Sequence, residues 1–107
     1  SLEGLLNSSG YFGGLEDMFI SYLLYEYCSK RNKSIIQLSS LLHKHPAEVR
    51  AWMNGTSSPS DKDLLVISYL FVGKMDSKEC TAAYRRFKNI RDMDRKNRER
   101  YSTFDYI

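Results

Sequence analysis

The sequence predicts one all-α domain of five helices, of which the last is extended and basic. The chain has 107 residues, which is the size of a single domain. Its apolar residues recur at helical spacing, and no strand-like alternation persists. Serine, proline and glycine stand where short helices would begin and end. No apolar run approaches the ~18 residues that a membrane span needs, so we expect no membrane association.

The first helix is predicted over residues 15–29, after a glycine- and serine-rich stretch over residues 1–14. Two interpretations of that stretch stay open. It is a flexible lead that docks its apolar residues, or a tag-derived or fused peptide ahead of a native start at Met18. The first helix is apolar on more than one side, so a second subunit or the lead should cover part of it. The candidate dimer face comprises Phe19, Ile20, Leu23, Leu24 and Tyr27.

Two short helices are predicted next, over residues 34–42 and 46–54. Ser34 with Gln37 three residues later has the spacing of a capping box. Residues 43–45 form the turn, and Pro46 suits the first position of the following helix, where its missing N–H is not needed. Gly55 supplies a left-handed stop. The predicted buried residues of the pair are Ile35, Leu38, Ser39, Leu42, Val49 and Trp52.

The fourth and fifth helices follow from the same kinds of signal. Ser60 and Asp63 form a second capping box, Gly73 ends the fourth helix, and Asp76 or Ser77 caps the fifth. The domain is expected over residues 15–100, with an irregular tail over 101–107. The predicted core residues here are Leu64, Ile67, Ser68, Phe71, Cys80, Ala83, Phe87 and Ile90.

Charge is modest overall but unevenly placed. The net charge is +3, whereas residues 85–100 hold eight basic against three acidic residues, and residues 30–55 hold five basic against one acidic. Two basic zones on an otherwise acidic body suit a polyanion, although the C-terminal zone could equally be a solvated helix face, with some cations paired to Asp92, Asp94 and Glu99. Cys28 and Cys80 lack metal or redox spacing and are interpreted as buried thiols of a reducing cytoplasm, with a disulfide left open.

The stretch LSSLLHKHPAEVRAWMNGTSSP, residues 38–59, resembles the helix-turn-helix of phage repressors, the lambda-repressor-like or Xre/Cro-C1 type. The likeness covers roughly residues 23–72, with its helix-turn-helix core at 34–55. It implies that the second helix of the pair enters the DNA major groove. The sequence departs from the family at His43, where glycine is usual in the turn, at Lys44, where an apolar residue is usual, and at Ile35, where many relatives have glutamine. Lys44 is expected to turn outward to a phosphate.

The resemblance also implies which residues face DNA. Arg50 is the expected base reader, Ala47 and Ala51 would pack against thymine methyl groups, and Trp52 belongs to the core. His45 is a phosphate donor or an ordinary loop histidine, and Asn54 contacts a phosphate or caps the helix. The implied DNA-facing residues are Lys44, His45, Pro46, Ala47, Arg50, Ala51 and Asn54, with further phosphate contacts from Lys33, Ser34 and Arg95.

These expectations converge on a dimeric, cytoplasmic transcriptional repressor of phage or prophage type, bound to an inverted-repeat operator in double-stranded DNA. A small antirepressor protein would release it. The alternative is a protein-interaction module, such as an antitoxin or adaptor. No glycine-rich phosphate loop is present, and His43 and His45 lack partners at metal-ligand spacing, so we expect no enzyme, metal, cofactor or small-molecule ligand.

Overall fold

The structure is a computed structural model that describes residues 18–73 and 77–105, with side chains described as far as Glu99. Over these residues the chain forms five α-helices and no strand, which confirms the all-α prediction. Residues 1–14, the expected helix start at Leu15 and the candidate cap Asp76 lie outside the described residues. The helices are α1 (Ile20–Arg31), α2 (Ile35–Leu42), α3 (Pro46–Asn54), α4 (Asp61–Val72) and α5 (Lys78–Asp105).

Short-range capping signals fix three of the helix starts. The Ser34 hydroxyl accepts the Gln37 N–H at 3.1 Å, and the Gln37 side chain accepts the Ser34 N–H at 2.8 Å. Ser60 and Asp63 form the same pair of reciprocal side-chain-to-backbone hydrogen bonds at the start of α4. Ser77 accepts the N–H of Cys80 at 3.0 Å at the start of α5. These hydrogen bonds confirm all three predicted caps. The caps could be predicted because each one depends only on two residues three positions apart.

All five helices contribute to one apolar core. α1 packs on α3 and α5, α2 packs on α3 and α4, and α4 runs along α5 in the most extensive of these contacts. The predicted core residues of α2 to α5 are buried or packed against the core, and Met53 joins them unpredicted. Cys28 and Cys80 are buried free thiols, so the disulfide does not form. Burial raises the pKa of the Cys28 thiol above its ordinary value.

The predicted dimer face on α1 is wrong, because its side chains are buried inside the subunit. α3 and α5 cover α1 from the same chain, so no second copy is needed to explain the width of its apolar surface. The exposed aromatic residues of α1 are Tyr22 and Tyr25 instead. The five residues corrected in this way are Phe19, Ile20, Leu23, Leu24 and Tyr27.

Two helix boundaries also differ from the prediction. α1 begins at Ile20 rather than near residue 15, since Met18 lies in a turn and Phe19 is extended. α5 continues to Asp105, so residues 101–105 are helical where an irregular tail was expected.

Candidate nucleic-acid interface

α3 is held against the body by one apolar face. Val49 is fully buried, Trp52 is 4% exposed and Met53 is also buried, and all three belong to the core cluster. Pro46 occupies the first turn, as predicted, and the backbone N–H of Ala47 donates to His45 Nδ1 at 3.0 Å. The helix is thus fixed along its inner side and capped at its start by the turn that precedes it.

The turn between α2 and α3 is tight. His43 adopts a left-handed conformation, with φ of 56°, at the position where the resembled family usually has glycine. The N–H groups of His43 and Lys44 return to carbonyls at the end of α2, at 3.2 and 2.9 Å. Ser39, the small residue expected between the helices, is buried, and its hydroxyl donates to the Ile35 carbonyl at 2.7 Å. These contacts fix the direction of α3 relative to α2.

The outer side of α3 carries the residues that the resemblance assigned to DNA. Ala47, Arg50 and Asn54 are exposed, as is His45 at the cap, whereas Pro46 and Ala51 are half-buried. Within the described part of the chain, Arg50 makes no ion pair or side-chain hydrogen bond. A free guanidinium flanked by short side chains is therefore the main chemical feature of this face.

Asn54 has a local role. Its side-chain Oδ1 accepts the Thr56 N–H at 3.1 Å and the Thr56 hydroxyl at 2.7 Å, so it holds the turn that follows α3. The C-cap of α3 is Gly55 rather than Asn54, and the expected phosphate contact of Asn54 stays a prediction. His45 likewise stabilises the start of α3 through Nδ1, which leaves Nε2 as the ring nitrogen that carries the proton.

Lys44 does not turn outward, so its expected phosphate contact is corrected. Its Nζ lies 2.9 Å from Asp63 Oδ1 on α4 and 3.5 Å from Glu48 Oε2 on α3. The bond with Asp63, aided by the charge of Glu48, raises the Lys44 pKa. Burial would raise the Asp63 pKa, but the bonds from Lys44 and Ser60 outweigh it and the net shift is downward. Lys44 therefore ties the turn to α4 and stays charged.

The three expected phosphate contacts lie in different settings. Ser34 uses its hydroxyl in the α2 capping box, and Lys33 is half-buried with its backbone N–H bonded to the Cys28 carbonyl at 2.9 Å. Arg95 is 90% exposed on α5, and its Nε lies 3.8 Å from Glu99 Oε1. It lines an open groove of about 570 Å³ beside the loop over residues 55–58. Only Arg95 thus reaches the region that follows α3.

Much of the basic charge of α5 is paired, as the sequence suggested for some of these residues. Arg91 Nη1 lies 2.6 Å from Asp61 Oδ1 and donates also to the Pro59 carbonyl at 3.3 Å. The bond from Arg91 lowers the Asp61 pKa, and together with the Pro59 bond it holds the loop before α4 against α5. Lys88 lies 3.9 Å from the same carboxylate. The cations left for a polyanion are therefore fewer than the net charge of the segment implies.

Sequence reasoning missed a polar cluster where α5 meets the start of α1. Asp94 is 95% buried and accepts the Ile20 N–H at 3.2 Å, and Asn97 donates to the Met18 carbonyl at 2.9 Å. Arg98 Nε lies 2.7 Å from Asp94 Oδ1, and its guanidinium reaches Ser21 Oγ at 3.1 Å. The spacing of Asp94 and Arg98, one helical turn apart, was the available signal, together with the poor capping ability of Phe19.

Two kinds of feature are absent from the described residues. No group of three or more histidine, cysteine, aspartate or glutamate side chains in this part of the chain is arranged to hold a metal ion. None of the described helices combines the length and apolar character that crossing a membrane requires. Comparison with protein-family models, curated proteins and solved structures finds no match to this chain.

Proposed function

We propose that this chain is a sequence-specific DNA-binding transcriptional repressor of the phage or prophage type, acting in the bacterial cytoplasm. The observation that carries the proposal is the two-sided character of α3. Its inner side is fixed by Val49, Trp52 and Met53, while its outer side presents the unpaired guanidinium of Arg50. A rigid helix with an exposed, unneutralised reader is what major-groove recognition requires. The proposed activity is DNA binding, without catalysis.

Arg50 would supply the base contact. A guanidinium can donate to guanine O6 and N7 together, which is the commonest specific contact in the major groove. Ala47 and Ala51 are too short to hydrogen-bond and would instead pack against thymine methyl groups. His45 would donate from Nε2 to a phosphate, since its Nδ1 already accepts the Ala47 N–H. In this arrangement Arg50, Ala47 and Ala51 would contact bases, and His45 would contact the DNA backbone.

Phosphate neutralisation would supply much of the affinity. Arg95 is the most suitable residue for this role, because it is almost fully exposed and lies beside the loop that follows α3. Its ion pair with Glu99 at 3.8 Å is long and solvent-exposed, so it should exchange readily for a phosphate. Binding should accordingly weaken steeply as salt is raised.

A homodimer would give the protein its operator symmetry. Two copies placing α3 in successive major grooves require half-sites about one helical turn, ~34 Å, apart. The apolar residues of α1 that were expected to join the two copies are buried within the subunit, so the dimer would form through another surface. For the same reason, these buried residues of α1 offer no docking surface to the expected antirepressor.

A protein-interaction module remains the second candidate, because α2 exposes apolar side chains. Ile36 is 61% exposed and Leu41 is also exposed. Ala47, which is exposed on α3, has no polar group with which to read a base. An antitoxin or adaptor would use such a surface to hold a partner protein, with DNA binding that is weak and general.

Selection of DNA from a random pool separates the two candidates. Wild-type protein should enrich an inverted repeat, and competition should show preference for that repeat over a scrambled duplex of equal length and composition. The preference should persist while total affinity falls with added salt, because base contacts do not depend on counterion release. A pool that yields no common sequence, with binding to every duplex lost together as salt rises, would refute the repressor proposal.

A further inference from the structure

The start of α1 is capped by a residue of α5. Phe19 occupies the N-cap position and has no side-chain acceptor to offer. Asp94, 74 residues away, accepts the Ile20 N–H at 3.2 Å in its place. Asn97, one turn further along α5, holds the Met18 carbonyl at 2.9 Å. A carboxylate at a helix N-terminus is also favoured by the helix dipole. The N-terminus of α1 is therefore set by side chains of α5.

Arg98 extends this cluster to the end of α3. Its guanidinium is paired with Asp94, donates to Ser21 Oγ at 3.1 Å and lies 5.3 Å from the centre of the Phe19 ring. The same guanidinium lies directly against Gly55, because a Cβ added there would overlap it. One side chain on α5 therefore touches both the start of α1 and the residue that terminates α3.

Gly55 determines how α3 ends. Its φ of 81° lies in the left-handed region, and its N–H bonds to the Ala51 carbonyl. The N–H groups of Thr56 and Ser57 converge on that carbonyl at 3.0 and 3.3 Å. A flat guanidinium can approach this turn closely only because Gly55 has no side chain. The contact fixes the loop on the side where α3 would leave DNA.

We infer that Arg98 is a positioning residue for α3. Asp94 fixes Arg98, Arg98 fixes the turn at Gly55, and the turn fixes the C-terminal end of the helix that carries Arg50. The placement of α3 thus depends on the last part of α5. The influence of Arg98 on operator choice rests on the proposed function, whereas its influence on the turn does not.

Hydrogen exchange of single amides tests the inference with Arg98→Ala and Arg98→Lys. Arg95→Ala is the matched control, since it removes the same charge three residues earlier on α5 from a side chain that is 90% exposed and lines the same groove, whereas Arg98 pairs with buried Asp94 and lies against Gly55. Both Arg98 variants should speed exchange at Thr56 and Ser57 by about tenfold or more, while amides in the middle of α4 keep wild-type rates. Lysine preserves a charge for Asp94 but lacks the flat group that covers the turn. The control should leave all these rates unchanged.

Operator competition supplies the second readout. Arg98→Lys should lower the ratio of operator to scrambled-DNA affinity, whereas Arg95→Ala should lower both affinities alike and keep the ratio. If Arg98→Ala fails to fold, Arg98→Lys decides the question. Wild-type exchange at Thr56 and Ser57 in a folded Arg98→Lys protein would overturn the inference. Faster exchange at these amides in a protein that selects no DNA sequence would uphold the positioning role and refute the repressor proposal.

Discussion

Replacing Trp52 by alanine should nearly unfold the domain, because this side chain is the main apolar anchor of α3. An aromatic side chain buries about 150–250 Å², and large-to-small changes of this kind cost about 3–5 kcal/mol. A domain of this size has a total stability of about 5–15 kcal/mol. The loss should therefore consume a large share of the free energy of unfolding, although α3 contributes only a small part of the chain.

Thermal and urea unfolding followed by circular dichroism would measure this loss. A change of 3 kcal/mol corresponds to a fall in Tm of roughly 12 °C or more. Tyr25→Ala is the matched control, since it removes an aromatic ring from an exposed position on α1 and should shift stability by less than about 0.5 kcal/mol. A cooperative Trp52→Ala transition within a few degrees of wild type would show that Trp52 is not a core residue.

Three further variants test the electrostatics, the assembly and the phosphate contact. Because Lys44 lowers the Asp63 pKa, the pair stabilises the fold above pH 3.8, the ordinary pKa of the carboxyl. This stabilisation is lost as the pH falls through the lower pKa that Asp63 has in the folded protein. Lys44→Met should therefore flatten the rise in urea midpoint between pH 2 and 5, and an unchanged rise would contradict this. Wild type should sediment as a dimer at micromolar concentration. Leu24→Glu should unfold the protein, since Leu24 is fully buried. A folded, monomeric Leu24→Glu protein would instead support the dimer face first predicted on α1. Arg95→Ala should lower the salt slope of DNA binding by about one unit, and an equal slope would remove Arg95 from the interface.

The parts of the fold that could be predicted from the sequence are those fixed by neighbouring residues. The Ser34 and Ser60 capping boxes, the proline at the start of α3 and the left-handed Gly55 each act over a few residues, so their signals are complete within a short window. The buried faces of α2 to α5 followed from periodicity for the same reason. These local signals are sufficient to place α3 and its exposed side.

The errors arise where a distant residue replaces a local signal. α1 was predicted to begin too early, since its cap is Asp94 on α5 and Phe19 gives no sign of a boundary. The wide apolar surface of α1 was assigned to a second subunit because periodicity shows how much surface is apolar, not which element covers it. The sequence alone places Lys44 outward, because it does not reveal that Asp63 comes within 2.9 Å of this side chain. For the same reason the sequence shows Arg98 only as one cation of a basic helix.

The effect of Arg50→Ala on operator preference tests the central proposal most directly. Competition between the selected operator and a scrambled duplex, at two or more salt concentrations, should show a loss of about 1–3 kcal/mol for the operator and almost none for the scrambled DNA. Arg95→Ala, which removes an equal charge from α5, should instead weaken both duplexes alike. If Arg50→Ala leaves the operator preference intact, α3 is not the reader of DNA sequence, and the protein-interaction candidate takes precedence.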